Sequence, residues 1–343
     1  MPMPPHDPAH SVFVRADVRG RRGRIRLDRG KALNALDLGM IRAIRRALDS
    51  FATDPDVEFV TIESERPGVF CAGGDIRAVR EASLAGRHDE NEAFFAEEFA
   101  LNHRIASFPK PYVALIDGVC MGGGMGLSVH GSHRVVTDRT VMAMPETAIG
   151  YFPDIGASYF LNRLAGALGT YLALTGARIG AADAMDAGLA TAFVPADRFN
   201  ALCVRLDTAG AEDLDRAIAE LAPVPASAAP LRDQHPAIDR CFGAGTVDEL
   251  FQSLAAEGGP WAEETTATLR SMSPTSLAVS LALLRRTRGL PLAACLEIEL
   301  RLTRTMTRGH DFLEGVRALL VDKDRQPRWA PLDPSMVQNV GDS

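Results

Sequence analysis

From Cys120 to Gly156 the chain reads CMGGGMGLSVHGSHRVVTDRTVMAMPETAIGYFPDIG, a glycine-crowded turn leading to the carboxylate of Glu146. Glycine has no Cβ, so such a turn bends tightly and brings its NH groups within hydrogen-bond distance of a ligand oxygen. An acid next to a carbonyl polarised in this way can attack its carbon or deprotonate a water that does. Glu146 follows a proline and stands between an apolar strand and the apolar residues 148–152. A pocket poor in water is expected there, and burial raises a carboxyl pKa toward neutrality. The competing reading of Glu146 is a helix-start glutamate favoured by the helix dipole. Phe152-Pro153-Asp154 places a second acid eight positions on, beyond a glycine and a proline that fold the chain back. Asp154 reads first as the cap of a helix over 155–160, a role compatible with sharing the pocket of Glu146.

Cys71-Ala72-Gly73-Gly74-Asp75 is a second turn of the same kind, and two such turns supply the two donors an oxyanion hole needs. Taken singly, each turn reads equally well as tight strand-to-helix packing. Other chemistries fit less well. GxGxxG fails because Leu127 replaces the third glycine counted from Gly122 and Gly124, and a Walker loop fails for want of GK[ST]. Gly126-Leu127-Ser128-Val129-His130 matches a nucleophile elbow until His130, so Ser128 reads as a helix hydroxyl back-bonding to a carbonyl. His130 and His133 suggest no third ligand, and no metal is expected.

The elements that must position these turns follow from periodicity. Residues 11–18 and 21–28, divided by Arg19-Gly20, read as a hairpin whose Arg24 and Arg26 face solvent. Asp37 is the expected N-cap of a helix to about Phe51, with Ile41, Ile44 and Leu48 at helical spacing. Residues 59–62, 69–71, 112–116, 134–136 and 141–144 read as strands, and a helix should begin near Gly123. Residues 83–107, polar and Glu-rich with a partial stripe of Phe94, Phe95, Phe99, Leu101 and Ile105, read as a surface helix. Strands alternating with helices indicate an α/β domain. After Pro195 strand signals fade and helices dominate, with a linker over 222–230 and helices over 236–250 and 276–287.

With 343 residues, 46% hydrophobic and 24% charged, the chain has the composition of a globular protein with a large appendage to its main domain. A net charge of −7 gives no general attraction to nucleic acid or to an anionic membrane. The five cysteines, Cys71, Cys120, Cys203, Cys241 and Cys295, are scattered and lack CxxC spacing, which fits a reducing cytoplasm. The proline-rich residues 1–10 offer nothing to pack and read as a disordered tail. No export signal and no membrane span is expected.

Five motifs in order, Lys31-Ala32-Leu33-Asn34-Ala35-Leu36-Asp37, residues 70–76, 121–131 and 144–156, and DFLEGVRALLVDKDRQPRW at 311–329, resemble the crotonase (enoyl-CoA hydratase/isomerase) superfamily. The resemblance spans nearly the whole chain. It implies an α/β crotonase (ClpP-like) fold of repeated ββα units, here a core over 11–200, with a helical C-terminal region over 201–343. It implies an acyl-CoA substrate and no separate cofactor, coenzyme A being part of the substrate, and it allows a homo-oligomer. Gly74 and Gly123 fall where the family's two oxyanion donors sit. Hydratases of the superfamily use two glutamates. The first would occupy the position of Gly126, and the second matches Glu146. The thioester-hydrolysing branch carries an aspartate where this chain has Asp154.

The reaction so implied is hydrolysis of an acyl-CoA thioester bearing a 3-hydroxyl. Glu146 would attack the thioester carbon or activate a water, and Asp154 would position the hydroxyl or that water. The rivals are an enoyl-CoA isomerase or hydratase, and a non-catalytic acyl-CoA-binding or RNA-binding relative. By analogy, Ala32, Asn34, Ala72, Asp75 and Gly122 would touch coenzyme A and Lys323 its phosphates, although a solvated charged segment is the plain reading of Lys323.

Overall fold

A computed structural model of the protein describes residues 11–222 and 229–341. The expected tail over 1–10 and most of the expected linker over 222–230 lie outside the described residues. In chain order, β1 (Val14–Arg19) and β2 (Arg22–Leu27) precede α1 (Leu38–Thr53), β3 (Phe59–Ser64), β4 (Val69–Cys71), α2 (Ile76–Leu84) and α3 (His88–Ala106). Next come β5 (Tyr112–Ile116), β6 (Val119–Met121), the single turn α4 (Gly123–Gly126), β7 (His133–Val136), β8 (Val141–Ala143) and α5 (Ala157–Phe160). Two further helices lead to β9 (Ala192–Phe193), and the described elements after it are all helical.

The chain divides into two units. The first takes in the described parts of Met1–Gly74, Ala100–Met142 and Gly180–Ser227. Its six-stranded sheet has the order β1-β2-β3-β5-β7-β9, antiparallel at the β1–β2 hairpin and parallel from β2 onward. Parallel strands are buried on both faces and read as continuous apolar runs, as β5 does with all five residues buried. Asp37 caps α1, accepting from the Met40 NH at 2.8 Å, and Met40, Ile41, Ile44, Leu48 and Phe51 turn inward. The hairpin arginines depart from expectation. Arg24 and Arg26 are largely covered and pair with Asp17 and Glu65. Arg22 is fully buried, bonded to Glu63 at 2.8 Å and Asp207 at 2.9 Å. A strand flanked on both sides covers its polar alternates, and a charge survives there only when paired.

The second unit takes in Asp75–Phe99, Ala143–Ile179 and the described parts of Ala228–Ser343. It is mainly helical. Within it the helix His310–Val316 packs on the 3-10 turn Glu146–Ile149: a Cβ on Gly315 would lie 2.5 Å from the Ile149 carbonyl carbon, and one on Gly150 would lie 2.1 Å from the Asp311 carbonyl oxygen. Only glycine permits so close an approach.

Two helix expectations change. Residues 83–107 do not form one surface helix. The chain breaks after α2, and α3 buries Phe94, Phe95, Glu98, Phe99, Leu101 and Ile105. Its apolar side chains spread around the helix instead of lining one stripe, so neighbours cover it on several sides. The stretch 236–250 is two helices, His235–Phe242 and Val247–Glu257. Gly243 and Gly245 interrupt it, and Thr246 starts the second helix with a capping box to Glu249.

Candidate functional site

In the first unit β4 and β6 pair in parallel, with Cys71 the partner of Cys120, within a small sheet of order β4-β6-β8. The pairing shifts by one residue between Val69 and Cys71 and leaves the two strands ending side by side, so the turn after Cys71 and the turn after Met121 are neighbours. Gly73, at φ 111°, shows how near: a Cβ there would lie 3.3 Å from the Met121 carbonyl oxygen and 3.6 Å from the Gly123 nitrogen. Gly122 takes φ 47° and ψ −120°, a conformation open to glycine, and launches α4 with Gly123 as its first residue. Neither the Gly74 NH nor the Gly123 NH has an acceptor among the described residues. Two unspent amides at adjacent strand ends are donors of the type an oxyanion hole requires.

The binding residues expected around these turns are placed as follows. The Ala72 NH donates to the Leu33 carbonyl at 3.0 Å and the Leu36 NH to the Gly73 carbonyl at 2.8 Å, which latches the 32–36 loop to the turn. Ala32 ends a 3-10 turn at the start of that loop. Asn34 is fully buried and holds the loop's shape. Its side chain accepts from the Arg29 NH at 2.8 Å and donates to Ser64 Oγ at 2.8 Å and to the Phe70 carbonyl at 2.9 Å. Ser128, also fully buried, lies just past α4. Its hydroxyl donates to the carbonyls of Gly124 and Met125, both at 3.1 Å, as a back-bonding serine does.

In the second unit the acids gather. Glu146 opens the 3-10 turn, 7% exposed, and its Oε2 has no hydrogen-bond partner among the described residues. Burial, joined by repulsion from Glu98, pushes its carboxyl up to about 8. Asp154 is 6% exposed, and its carboxyl is raised well above the ordinary range by burial first, then by the charges of Glu98, Glu146 and Glu299. The two acids expected to share surroundings therefore do, in company with two more. Tyr151, Phe95, Phe152 and Phe312 stack nearby, with ring centroids 4.4–5.9 Å from Tyr151, and keep the cluster dry.

Asp154 is not the cap of α5. No side chain at the start of that helix caps it, and the donors are taken by Glu299 from the helix Leu292–Met306, through the Gly156 NH at 2.7 Å, the Ser158 NH at 3.1 Å and the Ser158 hydroxyl at 2.6 Å. Asp75, in contrast, caps α2 by accepting from the Ala78 NH at 3.3 Å. Lys323 is exposed, at φ 60°, in the loop after Arg317–Val321, where Arg317 binds Asp322 and Asp324.

Glu98 and Glu299 are the members of the cluster that the sequence reading missed. Burial lifts Glu98 to about 8 and leaves its Oε1 without a partner among the described residues. Burial lifts Glu299 to about 7 against the pull of its three hydrogen bonds. A shared signal was available: each glutamate has apolar or small side chains at −4, −3 and +3, Phe94, Phe95 and Leu101 in one helix and Cys295, Leu296 and Leu302 in the other, so its own face points inward. Among the described residues no group of His, Cys, Asp and Glu is placed to hold a metal ion, and no helix is long and apolar enough to cross a membrane.

The α/β fold with its helical C-terminal part points to one class, and the sequence agrees: the chain belongs to the enoyl-CoA hydratase/isomerase family, whose pattern matches residues 22–341. Among curated proteins it is similar to the mitochondrial 3-hydroxyisobutyryl-CoA hydrolase of Rattus norvegicus, 45% identical over 327 residues that cover 93% of this chain and 85% of the relative. Two solved structures share its crotonase fold. The carnitinyl-CoA dehydratase from Mycobacterium thermoresistibile matches with a TM-score of 0.90 and 36% identity, and the enoyl-CoA hydratase from Rhodobacter sphaeroides 2.4.1 with 0.86 and 40%, each over 96% of both chains. The rat protein's name places it in mitochondria, which departs from the cytoplasmic compartment expected from the cysteines.

Proposed function

We propose that this protein hydrolyses an acyl-CoA thioester, 3-hydroxyisobutyryl-CoA, to 3-hydroxyisobutyrate and coenzyme A, a step of valine breakdown. The Gly74 and Gly123 NH groups receive the thioester oxygen as it gains charge. Glu146 attacks the thioester carbon, or takes a proton from the water that does, and coenzyme A departs as a thiol. Asp154 positions the acyl 3-hydroxyl or the water. Glu98, lifted to about 8, keeps its proton at neutral pH, and burial with the neighbouring acids shifts the Asp154 carboxyl in the same direction, because four acids in one dry cluster cannot all ionise. The residues that border the two turns, Ala32, Ala72, Asp75 and Gly122, line the path of coenzyme A, Asn34 contributes from beneath by fixing the shape of the loop, and Lys323 meets the phosphates. The scheme calls for no redox cofactor and no metal.

One observation carries this reading: Glu146 is buried with an oxygen unspent, while Gly126 stands where a hydratase of the superfamily would bring its other glutamate. Without a glutamate at position 126, water addition across a double bond lacks the partner that hydratases of the superfamily use. The names of the two solved structures, a dehydratase and a hydratase, favour the rival of hydration, and in a second rival, an isomerase, Glu146 alone would shuttle a proton. Thiol release from 3-hydroxyisobutyryl-CoA, run beside an absorbance assay for enoyl-CoA hydration and double-bond migration, separates the two. The native protein should release thiol, with kcat/KM rising as pH climbs toward about 8 and Glu146 ionises. Glu146→Gln should lose roughly 10²- to 10⁴-fold. Absence of thiol release, or equal rates in both proteins, removes the proposal.

A further inference from the structure

Asp154 lies at the head of an unusual stretch of backbone. Ile155 takes φ 56° and Gly156 φ 80°, so two left-handed residues follow the acid in succession. A β-branched residue resists that region, and such a conformation persists only where the surroundings over-determine it. What does so here comes from 143 and 141 residues away. Glu299, fully buried, spends Oε2 on the Gly156 NH and Oε1 on the Ser158 NH and hydroxyl. One turn along the same helix, Thr303 Oγ1 bonds the Tyr151 hydroxyl at 2.6 Å, so one helix face grips the 151–158 segment on both sides of Asp154. The α5 donors that Asp154 would otherwise cap are thereby satisfied, and its carboxyl remains for the cluster.

We infer that Glu299 is a positioning residue for the hydrolysis: by gripping the Gly156 and Ser158 amides it sets the place of the Asp154 carboxyl. The assignment rests on the hydrolase reading above. Its chemistry is specific to a carboxylate, because two acceptor oxygens are engaged from different directions. A glutamine offers one acceptor and turns an NH2 group against a donor.

The test is a double-mutant cycle read by single-turnover thiol release from 3-hydroxyisobutyryl-CoA, using native protein, Glu299→Gln, Asp154→Asn and the double variant. If Glu299 works through Asp154, Glu299→Gln lowers the rate about tenfold or more with KM changed little, and adds little further loss once Asp154 is asparagine. Circular dichroism and thermal melts establish that each variant folds. Should Glu299→Gln fail to fold, Ser158→Ala removes one of the three bonds, and its smaller loss should likewise vanish beside Asp154→Asn. Equal losses in both backgrounds mark a merely structural cap and overturn the assignment, as does a Glu299→Gln rate equal to native. A native protein that releases no thiol overturns the hydrolase reading and this assignment with it, a result distinct from the other two.

Discussion

A buried carboxyl without a partner holds its proton longer than the same group in water, and the consequence for stability has a definite sign. Glu98 has an ordinary value of 4.5 and is lifted to about 8 in the folded protein by burial. Below pH 4.5 both folded and unfolded chains carry the proton, so the group contributes no pH dependence. As pH rises from 4.5 to about 8, the unfolded chain releases a proton that the folded chain keeps, and stability falls. Above that window the loss is complete. Glu98→Gln, which is neutral throughout, should therefore be more stable than the native protein at pH 8 and nearly equal to it at pH 5. The gain should grow by at most about 1.4 kcal/mol per pH unit, since the acid shares its titration with its neighbours. Urea midpoints at the two pH values measure it, and a variant equally destabilised at both would show that Glu98 is not protonated in the native protein. A cost of this kind is retained where a site needs the acid.

At the scale of elements, the paired-amide corner depends on how closely α4 approaches β4. A Cβ on Gly124 would lie 2.3 Å from the Cys71 carbonyl oxygen, a backbone atom that cannot swing aside. Gly124→Ala should therefore push α4 off the strand and move the Gly123 NH with it. The expected result is a loss of stability of about 1–3 kcal/mol, and a fall in thiol-release kcat of roughly 10²-fold or more, as when one oxyanion donor is removed. Denaturant melts and the same assay report both, and an unchanged kcat in a folded variant would separate the corner from catalysis. Local pattern made this corner legible in the sequence, because glycine runs after short apolar strands encode their own geometry. The Asp37 cap and the strand expected at 59–62, which runs on to Ser64, were legible from local pattern too. The Glu98 and Glu299 placements were harder to read. The charged residues of 83–107 suggested a solvated face, and whether Glu98 is covered is decided by side chains remote in sequence. The α5 cap was assigned to the nearby Asp154, whereas its acceptor arrives from a helix 141 residues further on, a contact no local spacing announces.

Over the whole molecule, charge decides between an acyl-CoA enzyme and the RNA-binding alternative. A net charge of −7 opposes a long polyanion, whose binding draws on many lysines and arginines and weakens steeply with salt. Many of the arginines are already committed, among them Arg22, Arg24, Arg139, Arg205 and Arg317, each bonded to a carboxylate. Coenzyme A asks for less, since its few phosphates need only a local patch and, in the proposed scheme, two backbone amides receive the acyl end. A ligand that binds the folded chain alone stabilises it by RT ln(1 + [L]/Kd), about 2.7 kcal/mol at one hundred times Kd. Coenzyme A, or a non-hydrolysable thioether analogue of the substrate, should accordingly raise the melting temperature by a few degrees, in a saturable way that persists at physiological salt. A 20-nucleotide RNA under the same conditions should leave it unchanged. If RNA raised the melting temperature with a steep salt dependence while the analogue did nothing, the molecule would be reading a phosphate backbone, and the dry acids around Glu146 would need another explanation.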